Sequence, residues 1–179
     1  MKVKINGESG YYSAMLGLSL SYNQPEEKMY EVAKKLALKG GGHNKFLESI
    51  VVWIDITASR QFWQQFDTYR IGVSKQSEST MHTIMKNGIT RDLFEHELYP
   101  CIPDMIIGYL EFERRDKNFI AVKNALPESF LQRRIVCTNY MALQRIFQQR
   151  RNHKLPEWNF FCDELLKQIQ YKEFITCVE

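Results

Sequence analysis

Cations, amides and one aromatic ring gather in a single C-terminal run of this chain, Gln144-Arg145-Ile146-Phe147-Gln148-Gln149-Arg150-Arg151-Asn152-His153-Lys154. Such side chains suit anions. A guanidinium offers a rigid fork of donors that matches a phosphate, and an ammonium adds a point charge. Lys45 and Lys123 are further cations able to add charge from neighbouring segments. The run also reads as a solvated helix face, with Arg150 at the negative end of its helix. A nucleic-acid backbone is one anion to consider. The net charge argues against it: 24 Lys and Arg against 21 Asp and Glu leave only +3, where a nucleic-acid binder carries a stronger bias. Other chemistries lack their residues. Cys101, Cys137, Cys162 and Cys177 are spaced by 36, 25 and 15 residues, which matches no zinc or redox pattern and reads as reduced thiols. His43, His82, His96 and His153 show no paired spacing for a metal.

The elements that position these groups follow from periodicity. Met1 to Ile5 alternates as a short strand, and Tyr11 to Tyr22 is apolar or small, uncharged, and reads as buried with an ambiguous period. Pro25 opens a helix whose stripe is Met29, Val32, Ala33, Leu36 and Ala37, closed by Gly40-Gly41-Gly42. Ile50 to Ile56 is a strand rich in branched residues. Ala58 to Tyr69 places Phe62, Trp63, Phe66 and Tyr69 at helical spacing. Ile71 to Ser79 reads as a connector and Thr80 to Met85 is weakly patterned. Thr90 to Leu98 reads as a helix stopped by Pro100 and Pro103, and Asp104 to Val122 as a second long one. Phe130 to Val136 is short and apolar. Asn139 to Arg150 is helical with Leu143, Ile146 and Phe147 inward, and Pro156 starts a last helix with Trp158, Phe161, Leu165, Leu166 and Ile169 as its stripe. The 179 residues, 44% hydrophobic and 13% aromatic, predict one α+β domain spanning the chain. MKVKINGESG lacks the apolar core of a signal peptide. No segment reaches the ~20 apolar residues of a membrane helix, so the expectation is a cytoplasmic protein without a membrane partner.

Two stretches carry a family resemblance. The first reads Gly42-His43-Asn44-Lys45-Phe46-Leu47-Glu48-Ser49, a strand, then Arg60-Gln61-Phe62-Trp63-Gln64-Gln65-Phe66-Asp67-Thr68-Tyr69-Arg70-Ile71. The second reads Lys123-Asn124-Ala125-Leu126-Pro127, twelve residues on to Asn139, then Tyr140 to Arg150 and a trailing Pro156-Glu157-Trp158. Together they resemble the two ligand-binding stretches of the flavin-dependent thymidylate synthases over about two thirds of the chain, with positions 80 to 118 unmatched. The resemblance implies the thymidylate synthase-complementing fold, a twisted antiparallel sheet flanked by helices. It also implies a homotetramer with shared active sites, which binds FAD, deoxyuridine monophosphate, a methylene folate and NADPH and methylates the uracil ring.

Residue by residue, the resemblance puts Arg150 beside the pyrimidine as the catalytic group. Gln65 and Lys123 fall on the nucleotide, and Arg70, Ile71, Asn139 and Arg145 on the flavin. Tyr69 stands where the family has a flavin-contacting histidine, Lys45 where it has a small hydroxyl residue near the flavin, and Met141 where it has an arginine. Asn139, Gln65 and Tyr69 also read as ordinary turn, surface and core residues. Thr68, Glu78 and Thr80 stand where the family keeps arginine, serine and arginine, so Glu78 would meet a base edge or sugar hydroxyl in place of a phosphate. A slip in the connector would bring Ser77 or Ser79 to the serine position. Each lost charge-assisted bond costs ~1.5–3 kcal/mol. Two functions follow. One is an FAD-dependent enzyme of pyrimidine nucleotides, making thymidylate or a variant product. The other is a catalytically degenerate relative acting as a binding or structural homo-oligomer.

Overall fold

The computed structural model describes residues 1–95 and 101–176, the side chains of 101–103 excepted. Its frame is a four-stranded antiparallel sheet, β1 (Lys2–Ser9), β2 (Val51–Ser59), β3 (Val73–Ser77) and β4 (Leu131–Asn139), in the order β1-β2-β4-β3. The α+β class is as the sequence predicts, and the antiparallel sheet is as the resemblance implies. β2 shows why its branched residues make a central strand. Val52, Ile54, Ile56 and Ala58 are fully buried while Trp53 on the opposite face is 39% exposed, the period of two that one covered face dictates. Val136 of β4 sits opposite Ile54, and Ile5 of β1 pairs with it from the other side, so all three strands feed one core face.

β3 is the strand hidden in what reads as a connector. Its sequence, Val-Ser-Lys-Gln-Ser, is polar and half exposed because it is an edge strand, paired on one side only to β4. Glu78 continues this pairing past the strand end. Its N–H donates to the Arg133 carbonyl, and its carboxylate accepts the Arg133 N–H at 3.0 Å.

Helices cover the core face. α1 (Tyr11–Tyr22) starts at Gly10, held at φ +92° where a Cβ would lie 2.0 Å from the Ser49 carbonyl oxygen; only glycine fits there. α1 is a helix, but buries only Ala14, Met15 and Ser19, so its expected burial is corrected: Tyr12, Leu16, Leu20 and Tyr22 stand exposed. The Pro25 signal yields a 3-10 turn (Glu26–Lys28) that runs into α2 (Met29–Ala37), whose Met29, Ala33, Leu36 and Ala37 are buried. A second 3-10 segment, Lys45–Ser49, leads into β2. α3 (Arg60–Phe66) is capped by Ser59, whose Oγ accepts the Phe62 N–H, and the buried Glu157 carboxylate in turn accepts both the N–H and the hydroxyl of Ser59.

α4 (Thr80–Asn87) orders the weakly patterned stretch. The single helix expected from Asp104 to Val122 is instead two, α5 (Cys101–Arg115) and α6 (Phe119–Ala125). Lys117 turns left-handed at φ 58°, and the Asn118 side chain caps the new helix at the Ala121 N–H. Of the helix expected at Thr90–Leu98, Arg91–Leu93 forms a 3-10 turn and Phe94 bridges to Phe130. The remainder of that segment beyond Glu95, with His96, lies outside the described residues, as does Cys177. α4, α5 and α6 gather around a smaller core of Ile84, Ile89, Leu110, Val122, Leu126 and Phe130.

α7 (Tyr140–Arg150) carries its expected stripe inward and α8 (Pro156–Gln168) buries Trp158, Phe161 and Leu165, with Leu166 only partly buried and Ile169 buried just past the helix end; α9 (Glu173–Thr176) closes the main core with Phe174 and Ile175. Among the described residues no helix is long and apolar enough to cross a membrane.

An ion-pair group ties α3 to the edge strand. The Asp67 carboxylate accepts from Lys75 Nζ at 2.8 Å and from Arg134 Nη1 at 3.0 Å. Burial pushes the Asp67 carboxyl up, but the Lys75 and Arg134 bonds outweigh it and hold the group below the usual carboxylate range. A carboxyl that titrates lower when folded stabilises the fold above its unfolded pKa near ~4, and loses that contribution as pH falls through the folded value. Thermal melts should therefore lose stability on the acid side of pH ~4. Asp67→Asn should melt lower at neutral pH and show a shallower acid decline. Parallel acid limbs for the two proteins would contradict this.

Candidate functional site

The end of α3, the corner from Asp67 to Gly72, and the outer half of α7 meet over α8. Trp158 is the floor. It is fully buried, with its ring 4.4 Å from Phe62 and stacked with Phe66 at 5.9 Å. Its indole N–H donates to Gln65 Oε1 at 2.7 Å. Arg150 also donates to that oxygen, from Nη1 at 3.1 Å, while its Nε donates to the Tyr69 hydroxyl at 2.8 Å. The Tyr69 hydroxyl donates onward to Gln149 Oε1 at 2.9 Å. The Arg150 guanidinium lies over both rings, 4.9 Å from Trp158 and 5.6 Å from Tyr69.

Arg150 is thus fixed on three sides by neutral groups, and its charge meets no carboxylate in this cluster. It does not cap its own helix; it reaches sideways into the site. Arg151 instead lies over Phe147 at 4.9 Å, so the basic run is split between two directions and is no continuous charged face.

Beside the cluster lies an open cleft of about 410 Å³, lined by Thr68, Tyr69, Arg70, Ile71, Ala142, Arg145 and Gln149. Four sequence-predicted residues, Tyr69, Arg70, Ile71 and Arg145, share this one space, although 74 positions separate Ile71 from Arg145. Arg70 and Arg145 are exposed and form no ion pair among the described residues. Two uncompensated guanidiniums facing one cleft make a place for a polyanion.

Asn139 sets the geometry beneath. It is the N-cap of α7, its Oδ1 accepting the Ala142 N–H at 2.9 Å. A Cβ at Gly72 would come within 2.9 Å of its Nδ2, so glycine at φ +72° lets the 67–72 corner pack onto this cap. The half-buried Met141 follows in the first turn of α7.

The other predicted residues stand apart within one chain. Lys123, exposed on α6, lines a second cleft of about 250 Å³ with Arg60, Trp63, Gln64, Asp67, Thr80, Gln132 and Arg134. There the Arg134 guanidinium stacks 4.4 Å from the Trp63 ring, Arg60 Nη1 donates to the Leu126 carbonyl, and the Arg134 Nε is buried without a partner among the described residues. Lys45 lines a third groove of about 330 Å³ between α1 and the Lys45–Ser49 segment. Glu78 is engaged with the Arg133 backbone. Among the described residues no three His, Cys, Asp or Glu side chains converge on a point that could hold a metal ion.

Trp158 belongs to the apolar stripe of α8 and to the trailing Pro156-Glu157-Trp158 of the resemblance, neither of which gives it a role in the site. The structure makes it also the donor and platform that place Gln65 and Arg150; the signal was the trailing Pro156-Glu157-Trp158. Gln149 gave no sequence signal, because a glutamine on a polar helix face is indistinguishable from its neighbours until Tyr69 is placed against it.

No family model matches the chain, and no curated protein sequence matches it. Solved structures do. One is Thymidylate Synthase X (ThyX) from Helicobacter pylori with FAD and dUMP, at a TM-score of 0.78 and 17% identity over 100% of this chain and 99% of that one. Another is the flavin-dependent thymidylate synthase ThyX from Helicobacter pylori complexed with FAD and dUMP, at a TM-score of 0.78 and 18% identity over 100% of both chains. Identity this low speaks to the fold, end to end: four antiparallel strands and their helices are arranged here as in ThyX.

Proposed function

We propose that this chain binds a flavin and a pyrimidine nucleotide in the manner of the ThyX structures, and acts on the nucleotide. The observation that carries the proposal is the shared cleft of Tyr69, Arg70, Ile71 and Arg145, placed beside the fixed Gln65–Arg150 pair in a chain whose whole length follows the fold of FAD- and dUMP-bound proteins. The donor set fits FAD. Arg70 and Arg145 offer two forks to the pyrophosphate, and the Tyr69 ring is a flat surface for an aromatic ring system. Ile71 completes that wall, and Asn139 fixes the start of α7 beneath it. When bound, FAD would supply redox chemistry that no side chain here possesses. Arg150 holds the pyrimidine, Gln65 and Lys123 hold the nucleotide, and Glu78 meets a base edge or sugar hydroxyl.

Lys45 and Lys123 line other grooves of the same chain. Bringing them to one ligand takes a second copy, as in a homotetramer with shared sites. Conversion of dUMP to dTMP, with NADPH and methylene folate as co-substrates, is the reaction this reading favours.

The test is spectral. Protein loaded with FAD should show a perturbed flavin absorbance on addition of dUMP, and Arg150→Ala should abolish the change while retaining flavin. A flavin spectrum indifferent to pyrimidine nucleotides sinks the nucleotide half of the proposal.

A second reading, a degenerate binding protein, draws on Glu78. A carboxylate held on the Arg133 N–H puts a negative charge where an approaching phosphate would meet repulsion. Growth of a thymidine-requiring strain rescued by this chain decides between them: rescue excludes the degenerate reading.

A further inference from the structure

Two of the cations in the Lys123 cleft, Arg60 and Arg134, have no role in the resemblance. Arg60 is the first residue of α3. Its Nη1 donates to the carbonyl of Leu126, three residues beyond Lys123, so this one bond ties α3 to the end of α6 and brings Arg60 and Lys123 to one space of about 250 Å³. Apart from that bond Arg60 has no hydrogen bond or ion pair among the described residues, which leaves most of its donors open. Lys123 is exposed and has neither. Arg134 is held flat over the Trp63 ring, with Nη2 donating to Gln132 Oε1 at 3.2 Å. Asp67 is the one carboxylate among the residues lining this cleft, and it is shared between Arg134 and Lys75. Three cations against that single carboxylate leave an excess of two positive charges. Thr80, the first residue of α4, also lines the cleft, and Ser79 gives that helix no side-chain cap, so its positive end adds to the same field.

We propose that this cleft is a pocket for a phosphate monoester, which Arg60 and Lys123 grip while Arg134 supplies fixed charge behind it. Taking that group to be the phosphate of the pyrimidine nucleotide rests on the proposed function; the pocket itself does not. Charge selects the class. A phosphate monoester carries about −1.5 to −2 at neutral pH, which matches the excess. A carboxylate or a phosphodiester carries a single charge and leaves one cation unanswered. Size agrees. Drug-sized ligands fill ~300–1,000 Å³, so about 250 Å³ suits one phosphate with part of its sugar and is too small for a dinucleotide. The Leu126 carbonyl and the Trp63 ring hold the two guanidiniums in place before any ligand arrives, so little ordering cost remains for binding. Thr80 stands where the resemblance has an arginine, and Arg60 and Arg134 reach the same cleft from other elements. The grip on phosphate is thus moved to new residues, and its loss at one position is offset at two others.

Two ligands that differ only by the phosphate read the pocket. Calorimetric titration should show the wild type binding dUMP at least about tenfold more tightly than deoxyuridine. Arg60→Gln and Lys123→Gln should each weaken dUMP about tenfold or more, leave deoxyuridine unchanged, and flatten the salt dependence of dUMP binding. Lys123 has no partner to lose, so its variant reports on the pocket even where Arg60→Gln loosens the tie to α6. Equal binding of the two ligands by the wild type overturns the pocket and leaves pyrimidine binding intact. So does a preference for dUMP that both variants keep in full. Should neither pyrimidine bind, the nucleotide reading fails and inorganic phosphate decides the pocket alone. At constant ionic strength, phosphate should then raise the melting temperature of the wild type saturably, and that of Lys123→Gln much less. An equal shift in the two proteins, or none, overturns the pocket as well.

Discussion

Trp158→Ala should cost about 3–5 kcal/mol of folding stability, the range for removing a fully buried large aromatic side chain. The ring has no exposed surface and touches Phe62, Phe66 and Phe161, with centroids 4.4 to 5.9 Å away, so no neighbour can close the cavity without giving up its own packing. The indole N–H is lost as well, leaving Gln65 Oε1 with Arg150 as its one remaining donor. For a chain of this size each kcal/mol moves the melting temperature by roughly 2–4 °C, so a fall of about 10 °C is expected. Trp158→Phe keeps most of the packing and loses the hydrogen bond; it should cost about 1–2 kcal/mol and leave Arg150 less firmly placed. Paired thermal and urea denaturation of the three proteins measures both losses. A Trp158→Ala loss below about 1 kcal/mol would show that the site's floor is not the packed centre described here.

The second large effect is on ligand affinity alone. Arg70 and Arg145 are exposed and bound to no carboxylate among the described residues, so replacing both with alanine should leave the melting temperature near wild type. If each makes a charge-assisted contact of ~1.5–3 kcal/mol to an FAD pyrophosphate, the double variant should bind FAD at least a hundredfold more weakly. Riboflavin, which shares the ring system and lacks the phosphates, serves as the control: its affinity should be nearly equal in the two proteins. An equal loss for both ligands would mean that the arginines shape the cleft and do not grip an anion.

The fold was more legible than the site, for reasons visible in particular residues. β2 announces itself because a central strand with one covered face must alternate, and Val52, Ile54, Ile56 and Ala58 do. β3 does not, because an edge strand that is half in water needs few apolar residues, and Val-Ser-Lys-Gln-Ser has one. The division between α5 and α6 was hidden because Asp116-Lys117-Asn118 breaks a helix through a left-handed lysine and an asparagine cap, with neither Gly nor Pro to mark it. α1 is less buried than its composition implies. Its uncharged sequence asks for cover on all sides, and a single chain supplies cover on one.

Within the site, positions 69, 70, 71 and 145 come together because the corner after α3 folds back against α7. The pairings of Arg150 with Gln65 and Tyr69, or of Glu78 with the Arg133 backbone, depend on which way each side chain turns. No periodicity encodes that.

The central claim, that the corner from Thr68 to Ile71 and the face of α7 at Arg145 form a flavin site, is tested most directly by titrating the purified protein with FAD and following flavin fluorescence and visible absorbance. The account predicts saturable binding at one FAD per chain, in the micromolar range or tighter, with the flavin bands shifted by an aromatic neighbour. A correctly folded protein that leaves the FAD spectrum and fluorescence unchanged at millimolar concentration would contradict it.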